Sequence, residues 1–487
     1  MGNIKINRLW TVFLSGLVSL LFVLYHFSEM LFLRGRGVLN EAIGSGDQYL
    51  ERLSFYPDRI QHLFSTATAY FPGVSYLAVA VKLVFGESFQ EEILLLIAVL
   101  VLLGYIVAQY FVYKRFGGKA DYLQYLLFFI LITHTVFWEF INFSCEFKPD
   151  TLAFLLGTLA FLTVISNRKN YLSYISIVLF NFLAIVTKQQ YLFFCLGLNV
   201  AIIYIYWRET KQMIIYLACF LFSSIVACFL LLNDTNLLYY AIEAHRGRGY
   251  GWLNFSATHL GLLLFTISVL LTIKICWTKE QAIFLFQKVK ANRLFVAYIM
   301  IGACILIMQL VSAANFGGGF APNTSFALAF FMPACLMLLD MLEINFFKGS
   351  TYLISLIVCF MFFNALPQNY LKVRDYYINR TDAIHILEYF KGKKAIISPD
   401  TYVLARKAGL HVIADLGTYS HLNTGIYKGA LDTSILDLYR NKVQIELIPS
   451  DPYGHRNRPS FLDKFDFKPY QTSNILLQGS LFFNRQN

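Results

Sequence analysis

Long apolar runs separated by short polar punctuation dominate the first three quarters of the chain. Residues 10–33, 89–113 and 293–313 each reach the roughly 20 apolar residues that cross about 30 Å of hydrocarbon. Runs near 121–141, 151–166, 171–187, 191–207, 212–232, 257–275, 325–341 and 351–366 bring the expected crossings to eleven. Residues 66–86 are apolar too, but Pro72, Gly73 and Lys82 interrupt them, which predicts an interfacial helix instead of a span. After about residue 367 the pattern changes. Charges become frequent, and strand-like runs at 395–397, 411–414 and 443–448 alternate with helix-like stretches at 402–408 and 435–441. The expected architecture is an α-helical polytopic membrane protein over 1–366, carrying a small C-terminal external α/β domain over 367–487.

Composition supports the bilayer and narrows the partners. Hydrophobic residues make up 57% and charged residues 14%, against about 25% charged in a soluble domain. The formal net charge of +11 is not gathered into a groove-tracking patch, so no nucleic-acid partner is expected. The basic residues fall in short loops: Lys5 and Arg8; Lys114, Arg115 and Lys119; Arg168 and Lys169; Arg208 and Lys211; then a cluster over 274–293. The positive-inside rule makes these loops and the N-terminus cytoplasmic. The stretches 34–88, 142–150, 233–256 and 312–324 and the C-terminal domain then face outward. The first apolar run is too long for a signal-peptide core and lacks a small-x-small cleavage site, so it reads as a retained anchor. Of the eight cysteines, seven sit in apolar runs and Cys145 reads as loop-exposed. No CxxC or Cys/His spacing indicates a disulfide framework or a zinc site.

Charged groups in or beside hydrocarbon are costly, which makes them functional candidates. On this topology they collect on the outer side. Asp47 and Tyr49 lie in the first outer loop, and Glu146, Lys148 and Asp150 stand just before the fourth span. Lys188 occupies the turn between the fifth and sixth spans. His245, Arg246 and Arg248 lie in a glycine-containing loop, and Asn315 precedes the Gly317–Gly319 run. An acid facing several cations suits transfer of a sugar from a phosphate-linked lipid. The acid takes the proton of an acceptor hydroxyl, and the cations bind the donor phosphate and the charge that grows on it as it leaves. Asp47 is the candidate base, and Lys148, Lys188, Arg246 and Arg248 are candidate phosphate ligands. Tyr49, Glu146, Asp150, His245 and Asn315 are candidate substrate contacts. Each also admits a structural role. Asp47 suits a helix N-cap, the lysines suit snorkelling at helix ends, and Glu146 and Asp150 suit pairing with Lys148 or the start of a helix dipole.

The order of these features resembles the GT-C superfamily of integral membrane glycosyltransferases, in particular the bacterial branch near the protein mannosyltransferases and the lipid A aminoarabinose transferase. Gly46-Asp47-Gln48-Tyr49-Leu50, then Tyr70-Phe71-Pro72 and Phe85-Gly86, resemble its acidic first loop. Phe147-Lys148-Pro149-Asp150-Thr151-Leu152-Ala153 resembles its basic-Pro-Asp opening of the fourth span, and Thr187-Lys188-Gln189 its lysine-bearing turn. The Gly-rich loop before the tenth span, with Ile397-Ser398-Pro399-Asp400, Ala414-Asp415 and Ser420, is similar to its C-terminal half. Two departures stand out. Asp47 is followed by Gln48 where the family often pairs acids, and Lys148 stands where the family often has Arg, which loses a bidentate phosphate contact.

The resemblance implies a polyprenyl-phosphate-linked monosaccharide donor and an acceptor that is a glycan, a lipid or a protein. It implies hexosyl or pentosyl transfer on the outer face of a bacterial inner (plasma) membrane, with no nucleotide-sugar site and no required cofactor; metal dependence varies among such enzymes. Two other functions share the polytopic pattern. A transporter or flippase of lipid-linked saccharides predicts internal repeats and helices broken at the midplane, and no repeat is visible in the sequence. A ligase moving a whole lipid-linked glycan shares the outward cationic site.

Overall fold

The structure is a computed structural model. It describes residues 2–32, 43, 73–135, 138–145, 147–166, 170–188, 191–232, 279–316, 326, 328–343, 350–392, 394–397, 402–415, 447–448, 467–469 and 482–484. Its helices are α1 (Gly2–Phe32), α2 (Gly73–Phe85), α3 (Gln90–Arg115), α4 (Tyr122–Thr135), α5 (Trp138–Cys145), α6 (Pro149–Ile165) and α7 (Tyr171–Thr187). They continue with α8 (Tyr191–Tyr206), α9 (Thr210–Leu232), α10 (Lys279–Ala291), α11 (Arg293–Phe316), α12 (Met332–Met341), α13 (Thr351–Glu388) and α14 (Tyr402–Lys407). Their outer surfaces are apolar. Leu221, Phe222, Ile225 and Phe229 on α9, and Leu353, Leu356, Phe360 and Phe363 on α13, are all exposed. This inversion of the soluble pattern marks an integral, polytopic helical membrane protein.

Four described helices are long and apolar enough to cross alone: Leu9–Leu31, Gln90–Arg115, Thr210–Leu231 and Thr351–Glu388. α6 and α7 have 17 residues each, about 26 Å at 1.5 Å per residue, a little under the hydrocarbon thickness. The described parts of the run 121–141 are helical, as α4 and the start of α5. Cys145 is buried as the last residue of α5, not loop-exposed. α13 continues through Pro367 to Glu388, so the change of character expected at 366, next to the step between compact units at Asn364/Ala365, falls within one helix. The described part of the run 66–86 is helical, as α2. The run 257–275 and the helix at 435–441 lie outside the described residues.

The chain splits into two compact units. The first comprises Met1–Tyr25, Ile97–Phe229 and Gly247–Asn364. Its core is aromatic: Tyr105, Phe140, Phe154, Phe194, Phe326, Phe330 and Tyr298 pack edge-on or stacked, and the Tyr298 hydroxyl donates to the Phe330 carbonyl at 2.6 Å. Polar side chains fasten helices where water is absent. Asn181 on α7 donates to Ser223 Oγ on α9 at 2.7 Å and accepts from the Cys195 thiol on α8.

Helix direction gives this unit two ends. Arg115 at the foot of α3 bonds Ser166 just past α6, and Phe116 packs on Phe295 and Tyr298 at the start of α11. Asp340 on α12 accepts from the Tyr113 hydroxyl and the Lys119 amide, closing the same end. Lys114, Arg115, Lys119, Lys211 and Lys288 thus mark one end. The heads of α6 and α8 and the foot of α7 form the other.

The second unit comprises His26–Leu96, Leu230–Arg246 and Ala365–Asn487. Glu91 and Glu92, in the first turn of α3 where the helix dipole favours anions, receive Arg380 of α13 at 2.6 and 2.9 Å. Ala383 and Leu387, one and two turns beyond Arg380, pack with Leu404, Ala405, Ala408 and Leu410. This packing explains why α13 stays helical where the sequence turns polar. Strands β1 (Lys394–Ile397) and β2 (His411–Asp415), joined through α14, pair in parallel. With β3 (Leu447–Ile448), β4 (Phe467–Pro469) and β5 (Phe482–Asn484) they form a mixed sheet of order β2-β1-β3-β5-β4. Lys407 reaches the Ser88 carbonyl at 3.1 Å. Burial, with the Arg380 guanidinium nearby, pushes its ammonium below the usual lysine value.

One contact sets the helix spacing in the first unit. A Cβ at Gly197 on α8 would stand 3.0 Å from the Ile301 Cα and 3.2 Å from the Cys304 Cβ of α11. Gly197→Leu is expected to destabilise the protein by about 1–3 kcal/mol through overpacking. The check is a lowered midpoint of thermal unfolding in detergent.

Candidate active site

The head of α6 is built by local sequence. Phe147 is buried with φ 64°, in the left-handed region that a bulky residue rarely adopts. Lys148 follows as the N-cap in extended geometry (φ −64°, ψ 141°), as a residue before proline must be, and Pro149 takes the first helical position. Asp150 therefore falls in the first turn, where the dipole favours a carboxylate. Thr151 donates to Ser144 Oγ at 2.8 Å, which ties this turn to the end of α5.

The foot of α7 is its counterpart. Lys188 is the C-cap, extended, with its amide donating to the Ala184 carbonyl at 3.1 Å. Its own carbonyl accepts from the Tyr191 amide at 3.0 Å, turning the chain into α8. α6 and α7 pack as an antiparallel hairpin, so the foot of one meets the head of the other. There the Lys188 ammonium stands 3.1 Å from Asp150 Oδ2, with the two side chains only 6% and 4% exposed. Each charge sits at the helix end that favours it. Coulomb attraction, dipoles and a hydrogen bond together offset a desolvation cost of several kcal/mol per ion.

Below the pair, Tyr191 stacks on Phe194 at 4.8 Å, and its buried hydroxyl has no hydrogen-bond partner among the described residues. A Cβ at Gly157 would lie 2.5 Å from the Tyr191 ring and 2.7 Å from that hydroxyl, so glycine leaves the space the ring fills. Tyr191 was not singled out in the sequence. Its signal was its place, three residues after the lysine of the turn.

The structure thus brings Asp150 and Lys188 into contact and sets Lys148 two residues before Asp150, half-buried. Asn315 falls in the last turn of α11. That helix starts at the Phe116 end and meets Gly197 in its middle, so it runs antiparallel to α8 and finishes toward the Lys188 end. Asp47, Tyr49, Glu146, His245, Arg246 and Arg248 lie outside the described residues. A cleft of about 640 Å³ lined by Tyr171, Tyr174, Glu209, Lys211 and Gln212 opens at the opposite, basic end and does not contain this pair.

Fold and site together define the class: a polytopic helical membrane protein with a buried ion pair at one end of its bundle. Among solved structures the chain is similar to ArnT from Cupriavidus metallidurans. Against the crystal structure bound to undecaprenyl phosphate the TM-score is 0.52 at 12% identity, covering 97% of this chain and 97% of that one. Against the apo crystal structure it is 0.53 at 12% identity, covering 98% and 97%. The likeness is one of fold, and it runs the length of both chains. No protein-family model and no curated protein matches the chain.

Removing one member of the pair strands the other charge in a buried site. Asp150→Leu and Lys188→Met are each expected to lower stability by about 3–5 kcal/mol. The double variant Asp150→Leu/Lys188→Met is expected to lose far less than the sum. Thermal unfolding of all four proteins completes the cycle.

Proposed function

We propose that this protein is a membrane glycosyltransferase that moves a monosaccharide from a polyprenyl-phosphate-linked donor to a hydroxyl acceptor on a glycan, lipid or protein, at the outer face of a bacterial inner membrane. The observation that carries this reading is the buried Asp150–Lys188 pair, at the end of the bundle opposite the basic loops, in a fold shared with ArnT. A crystal structure of that neighbour holds undecaprenyl phosphate. By the positive-inside rule the basic end is cytoplasmic, which turns the Lys188 end outward.

In this reaction Asp47 accepts the proton of the acceptor hydroxyl. The hydroxyl oxygen attacks the anomeric carbon, the bond from that carbon to the phosphate oxygen breaks, and polyprenyl phosphate departs with the electron pair. Lys188, Lys148, Arg246 and Arg248 balance the charge that collects on the departing phosphate. Tyr49, Glu146, Asp150, His245 and Asn315 line the space for the sugar and acceptor. Asp150 also fixes where the Lys188 ammonium stands, so the cation is in place before the donor arrives. Positioned charge of this kind needs no reorganisation when the bond breaks.

The test is sugar release or transfer from a panel of polyprenyl-phosphate sugars by purified protein, wild type against Asp47→Asn. A general base typically contributes 10²–10⁴-fold, and a loss of about that size in a variant with wild-type unfolding is expected. Turnover that survives removes Asp47 from its role. No turnover with any donor, together with lipid movement in proteoliposomes, would put a flippase in its place.

A further inference from the structure

The joint between α10 and α11 is built as a corner. α11 has 24 residues, about 36 Å of helix, enough to cross the hydrocarbon. At Asn292 the helix axis turns by 93° between Ile283–Ala291 and Arg293–Ile307. Asn292 makes the turn stable by capping α11, its Oδ1 accepting from the Phe295 amide at 3.1 Å. Its Nδ2 donates to the Phe116 carbonyl at 2.7 Å, which anchors the corner to the end of α3. A helix at right angles to a spanning helix runs along the membrane plane. α10 has 13 residues and carries Lys279, Glu280, Lys288 and Lys290, so it is too short and too charged to cross.

The faces of α10 are sorted. Leu285, Val289 and Lys288 are partly buried, and Lys288 donates to the Met341 carbonyl at 3.0 Å; Phe284, whose ring Lys288 covers, is 52% exposed at the edge of this face. That face belongs to the protein. Ile283, Phe286 and Lys290 follow the i, i+3, i+7 spacing of another face and are exposed, Ile283 at 49% and Phe286 at 67%. Arg293, the next cation, is exposed at the corner. On a helix lying in the plane this stripe faces one leaflet at a single depth: the apolar pair suits the acyl boundary, and the long side chains of Lys290 and Arg293 reach back to the headgroups. The positive-inside rule assigns this leaflet to the cytoplasmic side.

We propose that α10 is an in-plane anchor that selects anionic phospholipids. Ile283 and Phe286 enter the acyl boundary, and Lys290 and Arg293 bind lipid phosphates. The partner is the leaflet itself, and the proposal does not depend on the transferase reading, because it concerns the opposite end of the bundle.

The experiment uses the full chain in nanodiscs holding equal amounts of phosphatidylglycerol and phosphatidylethanolamine. Native mass spectrometry after release reads the ratio of the two lipids retained. Wild type is expected to be enriched in phosphatidylglycerol, and Lys290→Gln/Arg293→Gln to lose enrichment by about fivefold per cation removed. Equal enrichment in the variant overturns the headgroup assignment. In the second arm a benzophenone amino acid replaces Phe286 or, as a control off the stripe, Ala291. Lipid adducts concentrated at position 286 are the expected result. Adducts equal at both positions, absent at 286, or made to protein at 286 overturn the in-plane anchor.

Discussion

Two opposite charges almost wholly withdrawn from water constrain this molecule more than any other feature. Lys188 and Asp150 tolerate burial because the antiparallel α6–α7 hairpin delivers each to the helix end that favours its sign and brings them 3.1 Å apart. That requirement propagates outward. The hairpin must keep its register, so Pro149 starts α6 at a fixed residue and Thr151 binds Ser144 to hold the turn before it. α8 must begin close by, so Tyr191 fills the gap that Gly157 leaves. α11 must then approach α8 closely enough for Gly197 to meet backbone.

The remaining polar groups divide by task. Asn181, Ser223 and Cys195 replace the hydrophobic effect as glue where lipid offers no driving force between helices. Arg380 with Glu91 and Glu92 does comparable work in the second unit, where a long helix leaves its apolar segment and still needs a fixed partner. Both groups place their contacts within helix packing, Asn181 on Ser223 and Cys195, and Arg380 on Glu91 and Glu92. The Asp150–Lys188 pair differs in its position, at a bundle end beside Lys148 and above the buried Tyr191 hydroxyl.

Much of the helical frame was legible in the apolar pattern. α3, α7, α8, α9 and α11 begin or end within a few residues of the runs that announced them. The length of α13 was hidden. Its polarity past Pro367 suggested an end, while Arg380, Ala383 and Leu387 continued one helical face against neighbours distant in sequence. Lys148, Asp150 and Lys188 stood out as charges beside hydrocarbon. Their pairing did not, since it depends on which helix lies beside which. Tyr191, one of 31 tyrosines, carried no chemical mark of its own.

The central claim is that the cation at the foot of α7 is there to meet a lipid-linked phosphate as well as to complete the hairpin. Affinity for polyprenyl phosphate without sugar separates the two roles directly. It is measured on the wild type and on Asp150→Leu/Lys188→Met, the variant that keeps apolar packing at the hairpin head. The account predicts that the folded variant binds at least about tenfold more weakly, consistent with loss of one charged hydrogen bond of roughly 1.5–3 kcal/mol. Equal affinity in the two proteins would reduce the pair to a structural strut and contradict the assignment.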